Sequence, residues 1–195
     1  MEKITRKEQK EKTRAGLVGR AENLFSSRGI SQTTTAEIAK SLKVSHGTLF
    51  VHFPTREELV KAVVDEFGER LSTALGERCA ADLKLKDLLK SHIDVLAEFE
   101  DFYMRLISES QSLPAHIRSI VYAINASLSY RFYRAAKVEM DKGHIKKMTQ
   151  VHFFNTWMGL LHYQIMNRDL FSEKTPILKE VGDDLLKHFF YIIKN

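Results

Sequence analysis

Apolar residues recur at helical spacing along most of the chain. Leu17, Ala21, Leu24 and Phe25 share one face of a helix that is under way by Ala15 and stops at Gly29. The polar stretch 1–14 before it reads either as a frayed arm or as exposed first turns of the same helix. Gly16 and Gly19 weaken this helix by up to about 1 kcal/mol each relative to alanine, so packing must compensate. Thr34-x-x-Glu37 is a capping box, and Ile38, Ala39 and Leu42 give the short helix it opens a buried side. After the tight turn Lys43-Val44, Ser45 caps a second short helix that runs to Phe53 and is ended by Pro54. Thr55-x-x-Glu58 opens a long helix to about Cys79, with Leu59, Val63, Phe67 and Leu71 on its apolar side.

The same period continues beyond it. Leu88, Leu89, Ile93, Leu96 and Ala97 face inward on a helix from Leu85 to about Phe99, and a short aromatic helix follows from Phe102 to about Ser110. Pro114 stands at the first position of a long helix that reaches Met140 and is closed by Gly143. Two more helices run from about Lys147 to Asn167 and from Pro176 to about Ile193. No stretch alternates at period two long enough to propose a sheet, and the chain shows no internal repeat. The expected fold is all-α with about nine helices: a three-helix N-terminal unit over 1–54 and a C-terminal helical bundle over 55–195.

Charge divides the chain at nearly the same place. The net charge of +5 is the sum of two unlike parts: residues 1–56 carry 11 Lys and Arg against 5 Asp and Glu, whereas 57–195 carry 19 against 20. A basic head on a near-neutral body points to a polyanionic partner for the head. The single cysteine, Cys79, excludes an intrachain disulfide framework and a cysteine-based zinc site, and fits a reducing, cytoplasmic setting. The polar start gives no secretory signal, and no apolar run reaches the ~18 residues of a membrane span, so no membrane partner is expected.

Two short helices joined by a tight turn, with a helix before and a long helix after, form a helix-turn-helix arrangement, whose second helix enters the major groove. Helix N-termini offer free backbone N–H groups to phosphates, and Thr34, Thr35, Ser45, Thr48 and Thr55 add hydroxyls there. His46, Gly47 and Thr48 are small or polar, which lets the backbone approach the groove, while Leu49 and Phe53 at i and i+4 hold the helix onto its scaffold.

Residues 17–63 resemble the DNA-binding domain of the TetR family of transcriptional regulators. The resemblance rests on Leu17-Val18, Ala21, Leu24-Phe25 and Gly29, then Thr34-Thr35 and Glu37-Ile38-Ala39. It continues with Val44-Ser45-x-Gly47-Thr48-Leu49-Phe50-x-His52-Phe53-Pro54 and Glu57-Glu58-Leu59. It implies a homodimer in which three N-terminal helices bind an operator, the fourth connects, and the C-terminal bundle dimerises around a small-molecule effector. Carried over by position, Thr34, Ser45, Phe50, His52 and Arg56 meet the phosphate backbone, and His46, Gly47, Thr48 and Val51 face bases. Three departures alter the contacts. Phe50 stands where the family usually has tyrosine, so a phenolic hydroxyl is lost. Lys43 stands where it usually has glycine in the turn, and His46 where it often has lysine.

The basic N-terminal cluster, including Lys3, Arg6, Lys7, Lys10 and Lys12, supplies sequence-independent affinity, since the recognition helix carries no Lys or Arg. In the body, an effector pocket is expected among Phe67, Phe99, Tyr103, Tyr122, Asn125, Trp157 and His162, a mix suited to a mostly apolar or aromatic ligand. No Arg/Lys cluster in the body demands an anionic one. The last two helices carry more apolar surface than one buried stripe needs, which places Phe154, Leu161, Leu178, Leu185 and Phe189 in a two-fold dimer interface. The body histidines lack metal-ligand spacing, and there is no glycine-rich phosphate loop or nucleophile–base motif; no metal, cofactor or enzymatic activity is expected. The reading is a ligand-responsive dimeric DNA-binding regulator, most simply a repressor released from a pseudo-palindromic operator. The alternative is a non-inducible architectural DNA-binding protein whose body only dimerises.

Overall fold

The computed structural model describes residues 5–78, 84–171 and 176–195. Cys79 and Lys3 lie outside them. Among the described residues there are nine α-helices: α1 (Arg6–Arg28), α2 (Thr35–Ser41), α3 (His46–His52), α4 (Arg56–Arg78), α5 (Leu85–Glu98), α6 (Glu100–Glu109), α7 (Ala115–Asp141), α8 (Gln150–Met166) and α9 (Leu178–Ile193). An isolated bridge ties Ile145 to Lys194.

The polar lead-in is helical. Thr5 caps α1 by accepting from the Glu8 N–H while the Glu8 carboxylate accepts from the Thr5 N–H, a reciprocal pair that starts the helix nine residues before Ala15. Other boundaries differ from the pattern: α6 begins at Glu100 and α9 at Leu178. Pro114 is the residue before α7, and α8 begins at Gln150 because the Thr149 hydroxyl accepts from the His152 N–H.

Helices α2 and α7 end in the same way. Val44 N–H bonds the Ala39 carbonyl and Lys43 N–H the Lys40 carbonyl; at α7, His144 bonds Glu139 and Gly143 bonds Met140. Both are Schellman ends, which need one residue with positive φ. Gly143 meets that need at φ 74, but in the helix-turn-helix the residue is Lys43 at φ 57. A side chain there costs about 1 kcal/mol. Lys43→Gly is expected to raise the melting temperature by about 2–4 °C; a thermal melt that does not rise would show the turn to be unstrained.

The core is continuous from head to body. Leu17, Val18, Ala21 and Phe25 of α1 meet Ile38, Ala39, Leu49 and Phe53, and the same cluster continues through Leu59, Val63 and Phe67 of α4. In the body α5 lies against α9, where Gly182 allows close approach: a Cβ would stand 2.5 Å from Ile93 Cγ2. Helix α9 also packs on α8, and α8 on α6 and α7. Two-sided packing consumes most of the apolar surface that the last two helices carry.

Candidate nucleic-acid interface and body cleft

Helix α3 is fastened from behind and open in front. Leu49 and Phe53 are buried, and the Ser45 hydroxyl accepts from the Thr48 N–H and pairs with the Thr48 hydroxyl at 2.8 Å. Val51 is 71% exposed and Phe50 39%, and a Cβ at Gly47 would meet only the Ser45 hydroxyl, at 3.8 Å. Gly47, Thr48, Phe50 and Val51 thus share the outward surface with His46. His46 is less free than its position suggests: its Nε2 meets the Thr35 hydroxyl at 2.9 Å and its ring lies edge-on to Phe50 at 4.7 Å. That contact ties the start of α3 to the start of α2, so Thr35 and His46 act as a pair. Thr34 caps α2, and Glu37 closes its capping box while pairing with Arg28 at 2.9 Å.

Two of the expected phosphate contacts sit in settings of their own. Arg56 donates to the Ile30 carbonyl, so it fastens the α1–α2 loop to the start of α4. His52 is half-buried. Burial first, then the nearby Lys10 and Arg14 charges, hold its pKa below the usual histidine value. A residue kept uncharged in this way meets a phosphate by hydrogen bonding rather than by charge.

The cations that remain lie on α1. Lys7, Lys10 and Arg14 recur at i, i+3 and i+7 and are exposed. Lys10 and Arg14 flank His52, and the Arg14 guanidinium sits 4.9 Å over the Phe53 ring. The basic stripe thus runs beside the C-terminal end of α3. Lys7→Ala with Lys10→Ala should weaken binding to any duplex and flatten the log–log salt slope by about 2. An unchanged slope in a shift assay across salt concentrations would remove these lysines from the interface.

Head and body are joined through α6. The Glu109 carboxylate accepts from the Ile30 N–H at 2.9 Å and the Ser31 N–H at 2.7 Å. Burial pushes its pKa up, but the bonds from Ser31 and Ile30 outweigh that and hold it below the usual carboxylate value. At the other end of α6, buried Glu100 accepts from the Ile177 N–H at 2.8 Å and the Leu178 N–H at 2.9 Å, closing the first turn of α9. Burial raises its pKa, against the opposing pull of those N–H groups and of Arg168. Neither glutamate was singled out by pattern; a carboxylate in a short helix gives no sign of which remote backbone it will grip.

The seven residues expected to line a pocket separate into three groups. Phe67 packs against Phe99, Phe102 and Tyr103, with ring centroids 5.8, 5.4 and 6.0 Å away. Tyr103 shares a 2.7 Å hydrogen bond with His162. Trp157 is wholly buried and donates its indole N–H to His92 Nδ1 at 3.2 Å. Tyr122, in contrast, is 57% exposed, and Asn125 is half-buried beside it on α7. A cleft of about 270 Å³ opens elsewhere, between α4 and α7, and none of the seven lines it. Its walls are Leu71, Leu75, Ile120, Ile124 and Leu128, with Ser72, Ser127 and Arg131 as polar members. Large rings fill space best, and most of these are spent on the core. A readable signal existed: Ile120, Ile124 and Leu128 repeat on one face of α7, and Arg131 interrupts that face.

Four of the five expected interface residues are also placed differently. Leu161, Leu178, Leu185 and Phe189 are buried inside the protomer; only Phe154 keeps partial exposure. The reason is the packing of α8 and α9 on both sides. What they leave outside is Val151, Tyr163 and Met166 on α8 and Tyr191 and Ile192 on α9.

Comparison with known proteins gives three findings. Residues 17–63 match the family model described as bacterial regulatory proteins, tetR family. An HTH-type transcriptional repressor of Mycobacterium tuberculosis is 38% identical over 88 residues, 45% of this chain and 46% of its own, so the match spans about half that relative's length. The negative transcriptional regulator IcaR of the Staphylococcus epidermidis biofilm operon icaADBC is 24% identical over 171 residues, covering 84% of this chain and 88% of its own. Among solved structures, a putative transcriptional regulator from Saccharomonospora viridis, in complex with choline, superposes with a TM-score of 0.81. It is 12% identical, with 95% of this chain and 99% of that one covered. The ketosteroid regulator KstR2 of Mycobacterium tuberculosis superposes with a TM-score of 0.74 at 16% identity, with 94% and 95% covered. These last two likenesses show the fold.

Proposed function

We propose that the chain, whose residues 17–63 match the TetR family of transcriptional regulators, is a homodimeric repressor that reads a pseudo-palindromic operator and is released from it by a small molecule. The observation that carries this reading is α3: capped at Ser45, held by Leu49 and Phe53, and presenting Gly47, Thr48, Phe50 and Val51 outward beside the basic stripe of α1. Residues 1–54 serve as the reader, and 55–195 as the dimerising and effector-binding body. With no Lys or Arg on α3, affinity comes from Lys7, Lys10 and Arg14, and specificity from small and apolar contacts, such as Val51 against a thymine methyl, and from DNA shape. Dimerisation through the outer faces of α8 and α9 uses Val151, Phe154, Tyr163, Met166, Tyr191 and Ile192. The effector acts by its differential affinity for the DNA-bound and free states, so operator must weaken effector binding by the same factor. The choline complex of a protein of this fold supports a small-molecule site in the body.

A shift assay on the DNA flanking the coding region, repeated across salt concentrations, tests the reading. Retention of a defined segment against excess random duplex is expected. Equal competition by random duplex would instead establish the architectural alternative. Sedimentation should show a dimer; a monomer at all concentrations would overturn the two-fold operator.

A further inference from the structure

We propose that the cleft between α4 and α7 binds a small carboxylate, its apolar part against Leu71, Ile120, Ile124 and Leu128 and its charged end on Arg131. The inference rests on the effector-binding reading of the body and names the ligand class. Four observations carry it. The cleft is built by matching stripes on two helices: Gly68, Leu71, Ser72 and Leu75 on α4, and Ile120, Ile124, Ser127, Leu128 and Arg131 on α7. At Gly68 the helices come close: a Cβ there would stand 2.7 Å from Ile124 Cδ1. One end of the cleft is at Leu75, whose carbonyl accepts from Arg131 Nη2 at 3.1 Å. The helices run the same way between these points, so Gly68 to Leu75 alone gives the cleft about 10 Å of length at 1.5 Å per residue.

Among the described residues no carboxylate balances the charge of Arg131. Its one hydrogen bond is to a neutral carbonyl, it pairs with no carboxylate among the described residues, and no acidic side chain lines the cleft. The bond to Leu75 fixes the guanidinium at the end of the cleft and leaves other N–H donors for a bidentate acceptor. The hydroxyls of Ser72 and Ser127 point the same way. Ser26, Ser27, Ser108 and Ser119 turn back to the carbonyls of their own helices, but Ser72 and Ser127 have no partner among the described residues. They are donors free for a ligand's oxygens. Size sets the rest. A cavity of about 150 Å³ takes benzene, so 270 Å³ takes about ten non-hydrogen atoms. A straight-chain carboxylate of that size, such as octanoate, has the length as well.

Calorimetric titration of the full chain with octanoate, octanol and octylamine tests this. Octanoate should bind, with octanol at least tenfold weaker and octylamine not at all. Arg131→Gln, whose amide still donates to the Leu75 carbonyl, should weaken octanoate at least tenfold and leave octanol unchanged. Ala123→Phe, at an exposed position on the cleft wall, should remove both while the thermal melt stays unaltered. No octanoate binding at millimolar concentration, or equal affinity in Arg131→Gln, overturns the site. Octanoate bound with the expected preferences, yet without effect on retention of the flanking DNA, upholds the site and removes only the induction reading.

Discussion

Replacing Glu100 with alanine is expected to lower the melting temperature by about 4–24 °C. Two buried N–H groups, of Ile177 and Leu178, lose their acceptor at once. Each orphaned donor costs about 1–3 kcal/mol, and a chain of this size moves about 2–4 °C per kcal/mol. The first turn of α9 has no side-chain cap of its own, since Ile177 stands at the cap position. The loss therefore falls on the helix that packs against both α5 and α8. Glu109→Ala removes a similar grip at the other end of α6, but Ser31 is exposed and water replaces the carboxylate. Its cost should be near 1 kcal/mol. Parallel thermal melts separate the two. Equal, small shifts would show that the Glu100 clamp contributes no more than an exposed one.

The protein should lose stability steeply as pH falls below 6.5. His92 is buried against Trp157 and Phe132, and burial, reinforced by His162, depresses its pKa to about 3. In the unfolded chain it titrates near 6.5. Between those values the unfolded state binds a proton that the folded state refuses, so stability is full above about pH 6.5 and falls as pH drops toward 3. One such proton gives a slope of about 1.4 kcal/mol per pH unit. His162 and His52, also held below the usual value by burial, act with the same sign. Glu100, with its raised pKa, acts oppositely in the carboxylate range. The window between pH 6 and 5 is therefore the cleanest. His92→Gln keeps an acceptor for the Trp157 indole N–H but does not titrate. Denaturant unfolding across pH should show its slope smaller than the parent's by about 1.4 kcal/mol per unit. Superimposable slopes would mean that His92 is not the buried base.

Much of this was readable from local signals, because those signals act within a few residues. The capping boxes at Thr34 and the cap at Ser45, the stop at Pro54 and the period of Leu49 and Phe53 are each settled by neighbouring backbone, and they place α2 and α3 correctly. The strain at Lys43 was readable too, since the turn demands a positive φ whatever surrounds it. The start of α1 was not, although Thr5-x-x-Glu8 is the same capping signal; without an apolar face the first turns give no period to count.

The sequence by itself determined the helices, the helix-turn-helix and the uneven charge, because capping, periodicity and net charge need no knowledge of distant contacts. Tertiary structure alone decided what each large side chain was for. Trp157, Phe189, Leu161 and Leu178 are apolar in any setting, and only packing on both faces of α8 and α9 assigned them to the core rather than to a pocket or an interface. Arg131 looks like any other cation until α4 is laid beside α7. It then becomes the charged end of an apolar cleft, with no carboxylate among the described residues to balance it.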